Sequence, residues 1–251
     1  LIRSSVEAHI ADIELARLDK KNAFTAEMYA SLASALAAAD ADANVRVIVL
    51  HGSAECFSAG NDVNDFLKRD PVAGSPAVRL FDVLPGMKKP VIAAVGGPAI
   101  GIGSTLLLHC DLVYAAPNAR FQLPFVPLGI TPEFGSTYLL PLLAGYQRAA
   151  ELLLLGQPFT AQKAQEVGIV TAVFPQEALL EEARKTARAL AALPPESLRL
   201  TKQLMKKRYG QGLTDTIREE TKIFTERLSS PEAKEAMSAF LEKRKPDFSR
   251  F

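Results

Sequence analysis

Two short apolar runs, VRVIVLHG (Val45 to Gly52) and PVIAAVGG (Pro90 to Gly97), constrain this chain more than any other feature. Both are rich in β-branched residues and too short for a stable helix. Strands that are apolar on successive positions are buried on both faces, as in a parallel sheet covered by helices. Each run opens into a loop of small residues. Phe57-Ser58-Ala59-Gly60-Asn61-Asp62 follows the first, and Gly96-Gly97-Pro98-Ala99-Ile100-Gly101-Ile102-Gly103 follows the second. Ligands of open α/β sheets gather at the carboxyl ends of strands, so both loops are expected to face one pocket.

The remaining elements fit around these strands. VEAHIADIELA (Val6 to Ala16) alternates loosely and reads as a strand or hairpin. Ala26 to Asp42 is Ala-rich with apolar residues at helical spacing, and Thr25 stands where an N-cap belongs. LFDVLPGMKK and STLLLHCD read as helical, LVYAAP as a third strand, and the stretch from Phe121 to Gly145 as irregular before a helix. From Ala149 the pattern is almost wholly helical, broken near Gly156, Gly168, Pro194-Pro195, Gly210 and Pro231. Strand and helix alternate first and helices dominate later, which predicts an α/β core with a helical C-terminal region.

A formal charge of +1 argues against a nucleic-acid binder that works through a broad basic face. Lys202, Lys206, Lys207 and Arg208 read as a solvated helix face rather than an anion patch. Cys56 and Cys110 suit a reducing compartment and read as core or loop residues, and His9, His51 and His109 lack metal-ligand spacing. No apolar run approaches the roughly 20 residues that span a bilayer. No signal-peptide pattern or peroxisomal Ser-Lys-Leu ending is present, so a cytoplasmic protein without membrane partners is expected.

Small residues let a ligand approach the backbone, and the second loop opens a helix whose first N–H groups lack intrahelical acceptors. One N–H from each loop could grip a carbonyl oxygen that becomes negative. Tight turns alone would explain the same glycines equally well. The loop is not GxGxxG, and a P-loop lysine is missing, so neither nucleotide fingerprint is supported. Beyond it, GITPEFGSTY holds a single acid, Glu133. From local sequence it reads as a first-turn helix acid behind a Thr131 cap and Pro132.

At these residues the chain resembles the enoyl-CoA hydratase/isomerase, or crotonase, family. ECFSAGNDVNDF is similar to its Phe-x-x-Gly-x-Asp loop, and the segment from Gly96 to Gly145 to its central signature. AQKAQEVGIVTAVFP and MSAFLEKRKPDF resemble later segments, so the likeness runs through nearly the whole chain. It implies an α/β spiral of β-β-α units over residues 1–195 and a helical trimerisation region over 196–251. It also implies a homotrimer or dimer of trimers, an acyl-coenzyme A thioester as substrate, and no cofactor beyond that substrate's CoA. Carried over, the Ala59 and Ile102 N–H groups form the oxyanion hole. Lys21, Ala23, Ala59, Gly60, Asn61, Asp62, Val63, Gly103 and Phe125 border the CoA or substrate, with Phe240 and Lys243 at the C-terminal end. Asp62 is read as shaping its loop rather than as catalytic, Asp111 as structural, and Pro71 to Pro76 as a flexible wall of the acyl pocket.

The family's hydratases use two glutamates, and Thr105 and Phe125 occupy those positions here. Its Δ3,Δ2-enoyl-CoA isomerases use one, in a Pro-Glu pair that Pro132-Glu133 matches. The resemblance therefore implies a 3-enoyl-CoA isomerase with Glu133 as the base. The alternatives are another crotonase reaction, such as hydration, thioester hydrolysis or isomerisation of a ring-bearing acyl-CoA, or a non-catalytic CoA-binding scaffold.

Overall fold

The computed structural model describes residues 1–62 and 75–251. The chain opens with the hairpin β1 (Ile2–Glu7) and β2 (Ile10–Leu15), whose two-residue turn puts both Ala8 and His9 at positive φ (47° and 66°). Turns of that kind match the right-handed twist of paired strands. Helix α1 (Ala26–Ala41) follows, its first turn capped by the Thr25 hydroxyl, which accepts the Met28 N–H at 3.2 Å. Thr25 therefore acts as its position predicts.

Strand β3 (Val47–His51), helix α2 (Val78–Gly86) and strand β4 (Val91–Val95) come next. The chain then alternates between two sheets. β4 lies in the larger sheet, β5 (Pro98–Ile100) in the smaller, β6 (Leu112–Ala115) in the larger and β7 (Arg120–Gln122) in the smaller. The short α3 (Ile102–Thr105) turns the chain back between β5 and β6. After α4 (Ser136–Ala144) and α5 (Tyr146–Leu155), β8 (Phe159–Thr160), α6 (Ala161–Glu166) and β9 (Ala172–Val173) complete both sheets. Four helices close the chain: α7 (Leu179–Ala191), α8 (Pro195–Lys207), α9 (Gly210–Leu228) and α10 (Pro231–Leu241).

The larger sheet runs β1-β2-β3-β4-β6-β9, parallel throughout except for the β1–β2 hairpin; the smaller runs β5-β7-β8. This winding between two sheets is the spiral implied by the resemblance. The region after Ala149 departs from the sequence reading by containing β8 and β9. Each has only two residues, too few to show any periodicity.

Both faces of the central strands β3 and β4 are covered, which explains why those two are apolar at almost every position. Ile48 and Leu50 point into the main core with Met28, Tyr29 and Leu32 of α1. Val47 and Val49 point the other way, against Ala183, Ala187 and Ala191 of α7. Those alanines recur every fourth residue and form a small-residue stripe that lets the helix lie close to the strands. Each fully buried Val or Leu contributes about 1.5–3 kcal/mol, so the sheet is a rigid base for the loops at its carboxyl edge. Among the described residues, no helix is long and apolar enough to cross a membrane.

Candidate active site

The loops after β3 and β4 meet backbone to backbone. Phe57 and Ser58 donate their N–H groups to Pro98 O at 3.1 and 2.9 Å, and Ile100 N–H donates to Ser58 O at 2.9 Å. The approach is close enough to favour glycine at 103, because a Cβ there would lie 3.0 Å from both Ser58 O and Ser58 Cβ. The expected convergence is therefore observed, and both loops line one cavity of about 320 Å³. Ala59, Gly60, Asn61, Ile100 and Gly101 form one wall of it; Phe125 and Ile130 face it from the segment before α4. Phe224, Met237 and Phe240 of α9 and α10 close the apolar side.

The first loop is knotted to the N-terminal segment. Buried Asn22 donates through Nδ2 to the carbonyls of Cys56 and Phe57, both at 3.1 Å, while its Oδ1 accepts Arg17 N–H at 2.8 Å. Ser58 Oγ donates to Asn22 O at 2.9 Å and accepts Gly60 N–H at 3.1 Å. The Asp62 carboxylate pairs with Arg17 at 2.8 Å, as befits a residue that shapes the loop. Asn22, Ser58 and Arg17 were not legible as supports, because Ser58 lies on a different segment from Arg17 and Asn22 and meets them only in the fold.

The donor assigned to Ala59 needs correction. Its N–H already donates to Lys21 O at 2.9 Å. Gly60 N–H is held by Ser58 Oγ, and Asp62 N–H donates to Phe24 O at 2.9 Å. Phe24 N–H in turn donates to Gly60 O at 2.7 Å, so Phe24 and Asn61 form a parallel bridge. In such a bridge the flanking residues make the bonds, and the central residue's own N–H leaves on the opposite side of the chain. Asn61 is thus the loop residue whose N–H leaves opposite Phe24, and it lines the cavity.

Ile102, the second assigned donor, is not itself among the residues lining the cavity. It is the first residue of α3, fully buried, and neither its N–H nor that of Gly103 has an acceptor among the described residues. The following two N–H groups, of Ser104 and Thr105, both donate to Gly101 O. A helix start with unclaimed N–H groups favours an oxygen carrying negative charge.

Glu133 is buried, with 4% of its surface exposed, three residues beyond the cavity-lining Ile130; it is not itself among the lining residues. It does not occupy the first turn of a helix. α4 begins at Ser136, because Phe134 (φ 61°) and Gly135 (φ 70°) both turn left-handed. The Phe134 ring is held between Phe81 and His109, with centroids 4.1 and 4.0 Å away, and its carbonyl accepts from His109 Nε2 at 2.8 Å. Those contacts, invisible to local pattern, fix the turn. Thr105 is fully buried, and its hydroxyl has no partner among the described residues.

The other assignments divide. Ala59, Gly60, Asn61, Phe125 and Phe240 line the cavity, whereas Lys21, Ala23, Gly103, Lys243 and Asp62 do not, although Lys21 and Asp62 brace the loop that does. Val63 and residues 71–74 lie outside the described residues. Burial raises the thiol pKa of Cys56 against a weaker opposing pull from Lys21, and burial with the Asp111 charge pushes Cys110 up to about 12. Neither thiol is activated as a nucleophile. Lys207 and Arg208 are exposed, as their reading as a solvated face expects, but Lys202 and Lys206 depart from it. Lys202 is buried, donating to Asp111 Oδ2 and Lys89 O at 2.6 Å each, and Lys206 reaches Pro85 O at 3.1 Å. Asp111 also accepts Val91 N–H at 2.7 Å, a structural role as expected.

Fold and site together define an α/β spiral enzyme whose ligand cavity is walled by two main-chain loops at the carboxyl edge of a parallel sheet. Residues 5–250 match the family model described as enoyl-CoA hydratase/isomerase. The 2,3-dehydroadipyl-CoA hydratase of Escherichia coli K12 is 37% identical, the alignment covering 94% of this chain and 93% of that protein. Enoyl-CoA delta isomerase 2 of Rattus norvegicus is 36% identical over 96% of this chain, which spans 63% of the rat protein. The crystal structure of an enoyl-CoA hydratase/isomerase from Pseudoalteromonas atlantica T6c superposes with a TM-score of 0.94 at 37% identity, covering 98% of this chain and 99% of that one. The chain belongs to the enoyl-CoA hydratase/isomerase family, and is a crotonase-fold enzyme of acyl-CoA metabolism.

Proposed function

We propose that the protein isomerises 3-enoyl-CoA to 2-enoyl-CoA through a single-glutamate proton shuttle. The observation that carries this reading is a buried carboxylate at Glu133, with Thr105 and Phe125 where a hydratase would need its two acids. A second buried carboxylate, Glu220, lies close to the same turn, but its oxygens are engaged by Gly135 N–H, Thr137 N–H and the Thr137 hydroxyl. Most of its acceptor capacity is thereby used in bracing the turn.

In the proposed sequence the thioester oxygen rests on Ile102 N–H and Asn61 N–H. Glu133 takes a proton from C2, and the C2 electron pair spreads into a dienolate whose oxygen charge those donors stabilise. The C3–C4 double bond moves to C2–C3 as protonated Glu133 returns the proton to C4. One donor of this kind is worth about 2.7–4 kcal/mol of barrier, so the hole matters as much as the base. Buried Phe125 and Phe134 support the reading by keeping water away from the dienolate. No cofactor beyond the substrate's CoA takes part. We further propose a homotrimeric assembly, for which Leu142, Leu143, Tyr146, Leu154 and Leu155 provide exposed apolar surface on α4 and α5.

Incubation with 3-hexenoyl-CoA and, separately, 2-hexenoyl-CoA tests the chemistry, with products identified by mass and absorbance. Isomerisation of the first without hydration of the second is expected. Rapid hydration of the second overturns the proposal. A Glu133→Gln variant should bind acyl-CoA yet lose isomerisation.

A further inference from the structure

Helix α4 begins without a cap of its own. Its N-cap residue is Gly135, which has no side chain to satisfy the first N–H groups. Glycine is favoured there because the backbone is left-handed (φ 70°). A Cβ would also press on Leu213 Cδ1 and Ile217 Cγ1, side-chain atoms of α9 that would have to shift to make room.

The same helix supplies the missing acceptor. Glu220, 6% exposed and 85 residues further along the chain, reaches back over the turn. One oxygen accepts Gly135 N–H at 2.5 Å; the other accepts Thr137 N–H at 2.9 Å and the Thr137 hydroxyl at 2.6 Å. Three hydrogen bonds from one carboxylate thus close on the two residues that flank Ser136, immediately after Glu133 and Phe134. Ser136 N–H itself donates to Glu133 O at 3.2 Å, so the clasped turn is continuous with the backbone of the base. Burial disfavours the charged form of this carboxyl, and the three donors oppose that effect. The helix start contributes positive potential in the same place.

We propose that Glu220 is a positioning residue, a carboxylate clasp through which α9 sets where Glu133 presents its base to the substrate. The inference rests on the isomerase reading above. It differs from a merely structural role because the bonds end on the turn that carries the base. On the other side of that turn, Phe134 is held by Phe81 and His109. Without the clasp, the Gly135 and Thr137 donors lose their acceptors and the turn is anchored on one side only. A base misplaced by about 1 Å loses rate by about 100-fold even when binding is intact.

The experiment compares steady-state rates on 3-hexenoyl-CoA for the parent, Glu133→Gln, Glu220→Gln, Thr137→Val and Thr137→Ser. Glu220→Gln is expected to lower kcat about 100-fold with KM within about twofold, the signature of displaced chemistry rather than lost binding. Thr137→Val removes one bond to the clasp and should cost about tenfold in kcat, whereas Thr137→Ser keeps the hydroxyl and the parent rate. The threonine pair decides the matter if Glu220→Gln does not fold. A kcat within about threefold of the parent in Glu220→Gln, equal rates in Thr137→Val and Thr137→Ser, or a change carried by KM alone overturns the inference. If Glu133→Gln turns over at the parent rate, the isomerase reading fails instead, whatever the Glu220 variants do.

Discussion

Arg17 and Asp62 form an ion pair at 2.8 Å, the two side chains being 17% and 13% exposed, and the same guanidinium nitrogen also donates to Ala23 O at 2.9 Å. That pairing ties the first cavity loop to the segment before α1. Removing one partner strands the other in a largely buried place. Arg17→Met is expected to cost about 2 kcal/mol, less than the loss of a fully buried pair because some water reaches this one. A double-mutant cycle with Asp62→Asn, read by urea denaturation, should show coupling of about 1 kcal/mol or more; additive losses would refute the pairing.

Ile102 offers a way to delete a main-chain donor. It is the first residue of α3, the position where proline is best tolerated and where the N–H has no intrahelical partner. Ile102→Pro should fold with a modest stability loss and lower kcat about 100- to 1,000-fold. A variant with full activity would remove Ile102 from the oxyanion hole.

Lys202 holds its ammonium between Asp111 and the Lys89 carbonyl with 3% of its side chain exposed. Lys202→Met leaves the carbonyl without that donor and Asp111 with Val91 N–H alone. The expected cost is about 3 kcal/mol, measured as a shift in the urea midpoint at unchanged slope. If Lys202 were on a solvated face instead, the shift would be within about 0.5 kcal/mol.

Two histidines make opposite contributions to pH dependence. Burial alone would pull His51 down, but it faces the Gly52 carbonyl at 2.8 Å and Asp12 at 2.7 Å, and these with the charges of Asp12 and Glu14 hold its pKa above 6.5. Its stabilisation is complete below the unfolded value and lost as pH rises through the folded one. His109 is driven down to about 3, chiefly by burial and further by the Lys206 charge, against the pull of the Phe134 carbonyl. Its contribution is complete above the unfolded value and lost as pH falls from about 6.5 toward 3, at roughly 1 kcal/mol per pH unit. In denaturation profiles from pH 4 to 9, His51→Asn should flatten the alkaline limb and His109→Gln the acid limb. The reverse pattern would contradict both assignments.

Strands β3 and β4 of the larger sheet were readable because burial on both faces leaves a continuous apolar record over Val47–His51 and Val91–Val95. α1 was readable from its cap and period. The smaller sheet was not, since β5 and β7 have three residues each and take their pairing from neighbours distant in sequence. Glu133 was found by motif, but its setting was misread. Thr-Pro-Glu carries every local sign of a helix start, and only the packing of Phe134 and Gly135 delays that start to Ser136. Asn61 went unassigned as a donor because which N–H of a loop faces the cavity depends on its bridge to Phe24, a long-range pairing. Glu220 is one acid among several on a charged helix, and nothing in its neighbourhood marks it.

The Ser58–Ala99 bridge joins the two cavity loops through main-chain atoms. Hydrogen-bonding groups fixed in this way belong to the backbone trace and not to any particular side chain. Residues at 61 and 102 could therefore be exchanged for many others while the two N–H groups stay where they are, and only proline would erase one. That separation leaves the side chains around the cavity open to revision, so its lining could change without moving the main-chain groups at its edge.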